Sequence, residues 1–356
     1  MQKSESLQTL HHQLSQLTQE GELYARLDSG KLRCFACGHR CLIPDGRHGV
    51  CKVRYNQDGR LMVPHGYVAG VQCDPIEKKP FFHALPGSDA MSFGMLGCDL
   101  HCGYCQNWLT SQTLRDPNAS GRFEAVSPER FVEIALRSGA RTVTSTYNEP
   151  LITAEWAVEI FRLARQRGLR TSFVSNGNGT PEVVQYLKPW TDFYKVDLKS
   201  FRDKNYRNLG GTLQAVLDTI QLLYASKFWV EIVTLVVPGF NDSDKELRDI
   251  AHFVASVSPL IPWHVTAFHE DYKMQGMGRT QAQTLLRAAR AGKEEGLQFV
   301  YIGNVAGQCS EWENTYCPSC ETLLIERTGF IVHQNKVADG RCYLCHTEIP
   351  GVWNAG

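Results

Sequence analysis

A regular alternation of strand-like and helix-like segments between residues 91 and 303 is the feature that most restricts how this chain can fold. Short apolar runs alternate with segments whose apolar residues recur at helical spacing. The predicted strands are 91–96, 141–146, 170–175, 192–197, 228–237, 262–268 and 298–303, and the predicted helices are the one that Ser127-Pro128 begins, 153–167, 180–188, 212–226, 243–257 and 280–294. Strands that alternate with helices form a parallel sheet with right-handed crossovers. The pattern therefore predicts an α/β fold of six strand–helix units and a closing strand, fewer than the eight units of a full barrel.

Three cysteines, Cys98, Cys102 and Cys105, follow the first predicted strand at the spacing C-x3-C-x2-C. Three thiolates on one loop can bind three irons of a cubane cluster, whereas the usual all-cysteine cluster has four. The stretch offers no fourth thiolate, so one iron is left for another ligand. Zinc prefers paired C-x2-C knuckles that complete four ligands, so the spacing favours an iron–sulfur cluster over a zinc knuckle or a set of buried thiols.

A second set of four cysteines lies near the amino terminus and comprises Cys34, Cys37, Cys41 and Cys51. Four thiolates close a metal site, which indicates a structural role. By count alone they suit zinc and an iron–sulfur cluster equally. Zinc and an iron–sulfur cluster therefore both remain alternatives for this set.

A third set of four cysteines lies near the carboxyl terminus and comprises Cys317, Cys320, Cys342 and Cys345. The two C-x2-C knuckles flank a hairpin-like stretch, Leu323 to Val332, which is typical of a zinc ribbon or a rubredoxin-like module. We expect zinc here, although a single iron for electron transfer would use the same thiolates.

Composition limits the compartment and the partners. Lys plus Arg and Asp plus Glu number 37 each, so no overall field attracts nucleic acid or a membrane, and nucleic acid is disfavoured as a substrate. No apolar run approaches the roughly 18 residues of a membrane span, and residues 1–20 lack the apolar core of a signal peptide. We therefore expect a cytoplasmic protein, in which thirteen cysteines favour metals over disulfides.

Three domains are expected: residues 1–90, 91–305 and 306–356. Residues 1–33 are predicted to form one amphipathic helix, with Leu7, Leu10, Leu14 and Leu17 on its apolar face, followed by a polar lead-in. A small hairpin is predicted around Asp58-Gly59. The charged and aromatic run 75–83 is interpreted as a solvated loop in preference to a substrate contact.

Polar motifs follow several predicted strands, at the carboxyl ends where a fold of this type keeps its chemistry. Glu149-Pro150 follows the second strand, Asn176-Gly177 the third, and His269 the sixth. The fourth strand ends in Lys195-Val-Asp197-Leu-Lys199, where an Asp and a Lys two residues apart face the same side. Such groups can bind ribose hydroxyls, a cofactor carboxylate or a substrate.

A three-cysteine loop of this spacing, with the aromatic Tyr104 directly before its last cysteine, resembles the signature of the radical S-adenosylmethionine (SAM) enzymes. The resemblance implies a partial (β/α)6 TIM-like barrel and a [4Fe-4S] cluster whose open iron is chelated by SAM. It implies SAM-binding roles for the residues that match the family's motifs, with no catalytic residue assigned beyond the cluster. Those residues are Tyr104, Glu149, Asn176, Asp197, Lys199 and His269.

Further motifs resemble the radical enzyme of the AmmeMemoRadiSam system, which is related to the glycyl-radical-enzyme (pyruvate formate-lyase) activating enzymes. They are the amino-terminal cysteine set, Cys-Gly-Tyr-Cys-Gln-Asn-Trp, Thr-Tyr-Asn-Glu-Pro, Val-Asp-Leu-Lys, Asn304 and Glu-Asn-Thr-Tyr-Cys. The resemblance implies cleavage of SAM to a 5'-deoxyadenosyl radical that abstracts hydrogen from an unidentified substrate, with proteins as one substrate class. It implies a flavodoxin or ferredoxin reductant, and it makes proteins of the AMMECR1 and Memo types candidate partners.

Two other functions stay open. The first is activation of a glycyl radical enzyme, which the activase-like turns favour. The presence of Val174, where the activases carry an acid, argues against it. The second is a metal-stabilised scaffold that binds partner proteins, and iron content would distinguish it from an enzyme.

Overall fold

The computed structural model describes residue 10 and residues 12–354. Within them the largest sheet has eight strands, of which seven are parallel. In chain order they are β1 (Gly70–Pro75), β2 (Asp89–Gly94), β3 (Thr142–Ser145), β4 (Arg170–Ser175), β5 (Phe193–Asp197), β6 (Trp229–Val236), β7 (Trp263–Ala267) and β8 (Val300–Gly303). They lie side by side in that same order, and β1 pairs antiparallel with β2 at the edge.

Helices connect the parallel strands from β2 onward, as βαβ crossovers require. They are α1 (Pro128–Arg137), α2 (Ala154–Gln166), α3 (Pro181–Leu187), α4 (Asp203–Leu209), α5 (Leu213–Ala225), α6 (Asp244–Val257) and α7 (Ala282–Glu294). A short helix, Trp108–Ser111, and the strand Glu124–Ala125 lie between β2 and α1. The α/β class and the parallel sheet predicted from the sequence are confirmed.

Local sequence explains where several helices begin. The hydroxyl of Ser127 accepts a hydrogen bond from Arg130 N at 3.2 Å ahead of α1, and that of Thr180 accepts one from Val183 N at 3.2 Å ahead of α3. In both helices a proline occupies the first turn, where its missing N–H costs no helical hydrogen bond. These caps fix the crossovers and thereby the loops at the carboxyl ends of the strands.

The amino-terminal region is built from short strands around a hairpin. They are Thr18–Glu20, Tyr24–Arg26, Leu32–Cys34, Leu42–Ile43, Tyr55–Gln57, Arg60–Pro64 and Tyr67–Val68. The hairpin at Asp58-Gly59 is confirmed, because Tyr55–Gln57 pairs with residues 60–62 across two residues of positive φ.

The helix predicted at the start of residues 1–33 is wrong at its carboxyl end, because it does not extend to Leu17. Residues 12–15 are helical, but Thr18–Glu20 pairs antiparallel with residues 62–64. This long-range pairing overrides a local spacing of leucines that suited a helix. Leu7 lies outside the described residues.

A buried ion pair joins the amino-terminal region to α2. Nη1 and Nη2 of Arg54 each contact a carboxylate oxygen of Glu155 at 2.7 Å, and the two side chains are 1% and 2% exposed. The Arg54 guanidinium also donates to Ile152 O at 3.1 Å. Two parallel N–H···O bonds give the pair a fixed geometry.

The carboxyl-terminal region consists of short antiparallel strands. They are Thr315–Tyr316, Leu323–Thr328, Ile331–Asn335, Val337–Ala338 and Arg341–Cys342. The central pair confirms the hairpin expected near Leu323 to Val332. In the described residues no helix combines the length and apolar character needed to cross a membrane.

Hydrogen bonds attach this carboxyl-terminal region to the segment that precedes β2. The buried Arg327 donates to Phe82 O and to Thr315 Oγ1, both at 2.8 Å. His83 Nδ1 lies 2.7 Å from Pro350 O, and Val352 N donates to His83 O at 2.7 Å. The two regions therefore pack as one structure although more than 220 residues separate them in the sequence.

Candidate active site

A cavity of ≈ 440 Å³ lies at the carboxyl ends of the parallel strands. It is lined by Cys98, Cys102 and Cys105 and by the residues that end β3 through β8. A larger cavity of ≈ 560 Å³ lies in the amino-terminal region, but none of the predicted site residues lines it. Because chemistry in parallel α/β folds collects at the carboxyl ends of the strands, we take the smaller cavity as the candidate active site.

All three cysteines of the loop line this cavity. Leu100 N donates to Cys98 Sγ at 3.4 Å, and Ser111 Oγ lies 3.2 Å from Cys105 Sγ. In the part of the chain that the structure describes, the sulfurs of Cys98, Cys102 and Cys105 do not all lie within 4.8 Å of one another. A cubane cluster requires such separation, because each thiolate binds a different iron.

Burial controls the protonation of these thiols. It raises the pKa of Cys102 to about 12, and together with the neighbouring Asp99 it raises the pKa of Cys98 well above its usual value. A bare thiol with such a pKa stays protonated at neutral pH, whereas a bound metal cation would stabilise the thiolate. The donor set and its surroundings therefore fit an iron–sulfur cluster.

Lys195, Asp197 and Lys199 form a charged triad at the end of β5. Asp197 accepts from Lys195 Nζ through one carboxylate oxygen and from Lys199 Nζ at 3.3 Å through the other. Burial alone would raise the pKa of Asp197, but the two lysines lower it to about 2. Burial lowers the pKa of Lys195, whereas in Lys199 burial is outweighed by Asp197 and other neighbours, which raise the pKa. With both lysines protonated the triad carries one net positive charge, so it can attract a carboxylate or phosphate. Lys195 was not among the predicted site residues, although its alternation with Asp197 and Lys199 places all three on one face.

Asn176 is held by an acid that the sequence motifs did not indicate. Its Nδ2 donates to Asp99 Oδ1 at 2.7 Å, and Asn178 Nδ2 donates to Asp99 Oδ2 at 2.8 Å. Gly177 between the two has φ +75°, and a Cβ atom there would lie 2.5 Å from Val196 Cγ1. The turn after β4 therefore requires glycine. The position of Asp99 directly after Cys98 is the signal that could have singled it out.

Glu149 lies at the cavity wall with its carboxylate occupied by protein groups. It accepts from Ser175 Oγ and Asn176 N at 2.7 Å and from Leu151 N at 3.0 Å. Burial and the nearby Asp99 raise the pKa of Glu149 to about 8. Its contacts join the ends of β3 and β4, so in this structure Glu149 positions the Asn176 turn.

The remaining two predicted SAM-binding residues differ in their placement. Tyr104 is buried in the cavity wall, with its ring centroid 5.5 Å from that of Phe240. His269 is exposed and does not line the cavity. Its Nε2 lies 3.0 Å from Nε2 of Gln106, which does line it. The structure thus brings five of the six residues to one cavity and leaves His269 at its rim.

The segment 77–80 forms one wall of the cavity, contrary to its interpretation as a solvated loop. Lys79 Nζ contacts Asp74 at 3.0 Å and the hydroxyl of Tyr147 at 3.1 Å. Tyr147 itself has φ +70° and lines the cavity. Phe330 of the carboxyl-terminal hairpin also lines the cavity, so both segments border it.

The carboxyl-terminal cysteines form a compact tetrad. All four sulfurs lie within 4.8 Å of one another, with Cys317 and Cys345 3.5 Å apart and Cys320 and Cys342 3.7 Å apart. A tetrahedral site with metal–sulfur bonds of about 2.3 Å has sulfur–sulfur edges of about 3.8 Å. The tetrad therefore has the dimensions of a single-metal site.

Comparison with known proteins places the cysteine loop in context. A family model described as the radical SAM superfamily matches residues 94–254. An uncharacterized protein of Methanocaldococcus jannaschii is 37% identical over 335 residues, which cover 93% of this chain and 98% of that protein. This chain contains a radical SAM domain.

Other radical SAM relatives are activating enzymes. The pyruvate formate-lyase 1-activating enzyme of Escherichia coli is 26% identical over 57% of this chain and 87% of that enzyme. A solved domain of a pyruvate-formate lyase-activating enzyme from Bacteroides vulgatus is 20% identical, covers 46% of this chain and 98% of that domain, and has a TM-score of 0.41. The radical SAM family implies a [4Fe-4S] cluster and SAM, and the three-cysteine loop offers thiolates suited to the cluster.

Proposed function

We propose that this chain is a radical SAM enzyme that reductively cleaves SAM and uses the resulting 5'-deoxyadenosyl radical to abstract hydrogen from a substrate. The observation that carries the proposal is that Cys98, Cys102 and Cys105 share one cavity with Asn176 and the Lys195–Asp197–Lys199 triad. The [4Fe-4S] cluster, when bound, would supply the electron and bind the cofactor through its open iron. The protein fold as proposed is a partial (β/α)6 barrel, with domain boundaries near residues 90 and 305.

The chain's own residues would bind and orient SAM. The positive charge of the triad attracts the cofactor carboxylate, and the cavity has polar and apolar walls on which the rest of the molecule can lie. Val233 and Leu235 offer an apolar surface, while the buried Tyr104 ring limits the entry of water beside the cysteines. Asn176, fixed by Asp99, offers a preorganised amide at the same edge.

A direct assay tests the proposal. Anaerobically purified protein, reduced with dithionite, is expected to convert SAM to 5'-deoxyadenosine and methionine, measured by liquid chromatography. Protein that carries a full complement of iron and sulfide but forms no 5'-deoxyadenosine would contradict the proposal. A scaffold without catalytic function would bind neither a labile cluster nor SAM.

We expect Lys199→Met to weaken SAM binding by about ten- to a hundredfold, because it removes a cation whose hydrogen bond to an anion is worth about 1 to 3 kcal/mol. Cluster absorbance should persist, since Lys199 is not a cluster ligand. Equilibrium binding of SAM to the reconstituted protein measures the effect. Lys204→Met, which alters an exposed lysine of α4, is the matched control. Unchanged affinity in Lys199→Met would assign the triad to the substrate or to the fold.

Zinc is the metal proposed for the carboxyl-terminal tetrad, because its sulfur spacing suits one tetrahedral ion. We expect Cys342→Ala to remove about one zinc per chain and to lower the melting temperature, since metal binding to such a module contributes to its folding. Elemental analysis and thermal unfolding measure the two effects. Cys309→Ala, which changes a buried cysteine outside the tetrad, should keep the zinc. Loss of iron in place of zinc would indicate a rubredoxin-like site.

Activation of a glycyl radical enzyme is the second candidate function, favoured by the similarity to the Escherichia coli activating enzyme. Incubation with SAM, reductant and a glycyl radical enzyme would then yield a glycyl radical in the electron paramagnetic resonance spectrum. Membership of the AmmeMemoRadiSam system is proposed from the order of motifs alone. Co-purification with AMMECR1-type and Memo-type proteins tests it, and a flavodoxin or ferredoxin is the proposed reductant.

A further inference from the structure

The four amino-terminal cysteines converge on one place in the described structure. Cys34 N donates to Cys41 O at 3.0 Å across the pairing of Leu32–Cys34 with Leu42–Ile43. Val50 N, next to Cys51 in the chain, donates to Cys41 Sγ at 3.4 Å. Arg40 N donates to Cys37 O at 3.0 Å in the turn before Cys41. These contacts bring the four cysteines together, so the four thiols can serve one metal group.

Sulfur spacing separates the possible occupants of this amino-terminal set. All four carboxyl-terminal sulfurs lie within 4.8 Å of one another, as one tetrahedral ion requires. Among the described residues, no three amino-terminal sulfurs meet that limit, and the same is true of the loop cysteines Cys98, Cys102 and Cys105. Because a cubane cluster places each thiolate on its own iron, its sulfurs lie farther apart than those around one zinc ion, and in this respect the amino-terminal set resembles the loop cysteines and differs from the carboxyl-terminal tetrad.

A smaller group, Cys37, His39 and Asp99, is compact enough for an ion, but its ligand atoms already have protein partners. His39 Nε2 lies 2.6 Å from the carbonyl oxygen of Gly210, which can only accept, so this nitrogen carries the proton. Nδ1 then accepts from Asn178 Nδ2 at 3.1 Å. Both oxygens of Asp99 accept from asparagine amides. The group is thus a hydrogen-bonded contact and does not compete with the four cysteines for a metal.

That contact links the amino-terminal cysteines directly to the cluster loop. Cys37 Sγ lies 3.6 Å from His39 Nδ1, and His39 lies 3.1 Å from Asn178 Nδ2. Asn178 Nδ2 in turn donates to Asp99 Oδ2 at 2.8 Å, and Asp99 Oδ1 lies 3.8 Å from Cys98 Sγ. A continuous chain of polar contacts therefore joins a thiol of one set to a thiol of the other.

Two further contacts hold the sets together. Gly97 has φ +93°, and a Cβ atom there would lie 3.1 Å from the carbonyl oxygen of Cys51. Arg115 donates to Leu100 O at 3.0 Å and to Val50 O at 2.5 Å, so one guanidinium spans both regions. The amino-terminal cysteine region and the Cys98 loop are therefore in direct contact.

We propose that Cys34, Cys37, Cys41 and Cys51 bind a second iron–sulfur cluster that relays electrons to the cluster on the Cys98 loop. A reduced protein of the flavodoxin or ferredoxin class gives one electron to the second cluster. The second cluster is reoxidised when it passes that electron to the first. The electron is consumed in breaking the C5'–S bond of SAM, which releases methionine. The relay rests on the proposed function, whereas the second cluster itself does not.

Metal content tests the second cluster independently of SAM cleavage. The wild-type chain, purified without oxygen, should contain about eight irons, and Cys98→Ala/Cys102→Ala/Cys105→Ala should keep about four with a reduced-cluster resonance signal. If that variant fails to fold, the electron paramagnetic resonance spectrum of the reduced wild-type protein tests the second cluster. Two overlapping cluster signals are expected, and SAM should shift one of them. About four irons and two zinc ions in the wild type, with one signal that SAM shifts completely, would overturn the proposal.

The relay is tested by comparing reductants. In Cys41→Ser/Cys51→Ser, iron should fall to about four per chain, and the ratio of flavodoxin-driven to dithionite-driven SAM cleavage should fall at least tenfold. Dithionite is small enough to enter the cavity and would reduce the active-site cluster without the relay, whereas a protein donor would need the relay. Cys73→Ser, which alters an exposed cysteine outside the three sets, should leave the ratio unchanged. An unchanged ratio in the double variant would refute the relay while leaving the second cluster in place.

Discussion

Replacing Cys98, Cys102 and Cys105 together with alanine is expected to reduce the formation of 5'-deoxyadenosine from SAM to background. The three thiolates are the proposed ligands of the active-site cluster. Without them the protein would lack both the source of the electron and the open iron to which the cofactor binds. The assay is chromatographic detection of 5'-deoxyadenosine after anaerobic reduction. Measurable cleavage by the triple variant would remove the cluster loop from the mechanism.

The triple variant should remain folded, because its cysteines lie on a loop outside the strands and helices of the main sheet. Circular dichroism and size-exclusion chromatography check this point. Cys73→Ala is the matched control, since this cysteine lies on the exposed edge strand β1. It should retain full activity and full iron content.

Replacing Arg54 with methionine is expected to lower the free energy of unfolding by about 3 to 5 kcal/mol, which is typical when one partner of a buried ion pair is removed. Glu155 would keep a buried carboxylate with backbone donors only, Glu22 N at 3.2 Å and Leu23 N at 3.4 Å. Denaturant unfolding measures the loss. Arg60→Met, which changes an exposed arginine of the hairpin that follows Arg54, should change the stability by no more than about 0.5 kcal/mol.

A double-mutant cycle and a pH series distinguish this pair from simple packing. Arg54→Met/Glu155→Met should be less destabilised than Arg54→Met alone, because no unbalanced charge stays buried. Burial alone would raise the pKa of Glu155, but Arg54 lowers it below its usual 4.5. The contribution of the pair is therefore fully present above pH 4.5 and lost as pH falls through the folded-state pKa. Equal destabilisation of the single and double variants would contradict the electrostatic account.

Local patterns were sufficient where an element is long and its neighbours in sequence are also its neighbours in space. The strand β4 was predicted with its observed bounds, because glycine and asparagine flank a run of buried residues. In contrast, α4 was missed, since only Tyr206 and Leu209 of its seven residues are buried. The edge strand β1 contains Gly70 and Pro75, and its pairing with β2 depends on a partner that local periodicity does not reveal.

The candidate active site likewise contains residues that local sequence patterns could predict and residues that they could not. Motif spacing selected the cysteine loop and the Asp197–Lys199 pair, because spacing on one loop or one strand fixes which side chains share a face. It did not select Asp99 or Tyr147, whose contacts are with residues from distant segments of the chain. His269 was selected by its place in a motif, and the loop after β7 carries it to the surface. Contacts between distant segments are therefore what the sequence could not supply.

The attachment of Arg327 and Pro350 to Phe82 and His83 has a consequence for how such proteins can diverge. The carboxyl-terminal hairpin supports the segment 77–80, which in turn forms a wall of the cavity. Two distant stretches of sequence should therefore determine substrate preference together. A recombinant that takes residues 306–356 from one relative and residues 70–90 from another is expected to lose the shape of that wall, even if each parent chain is fully active.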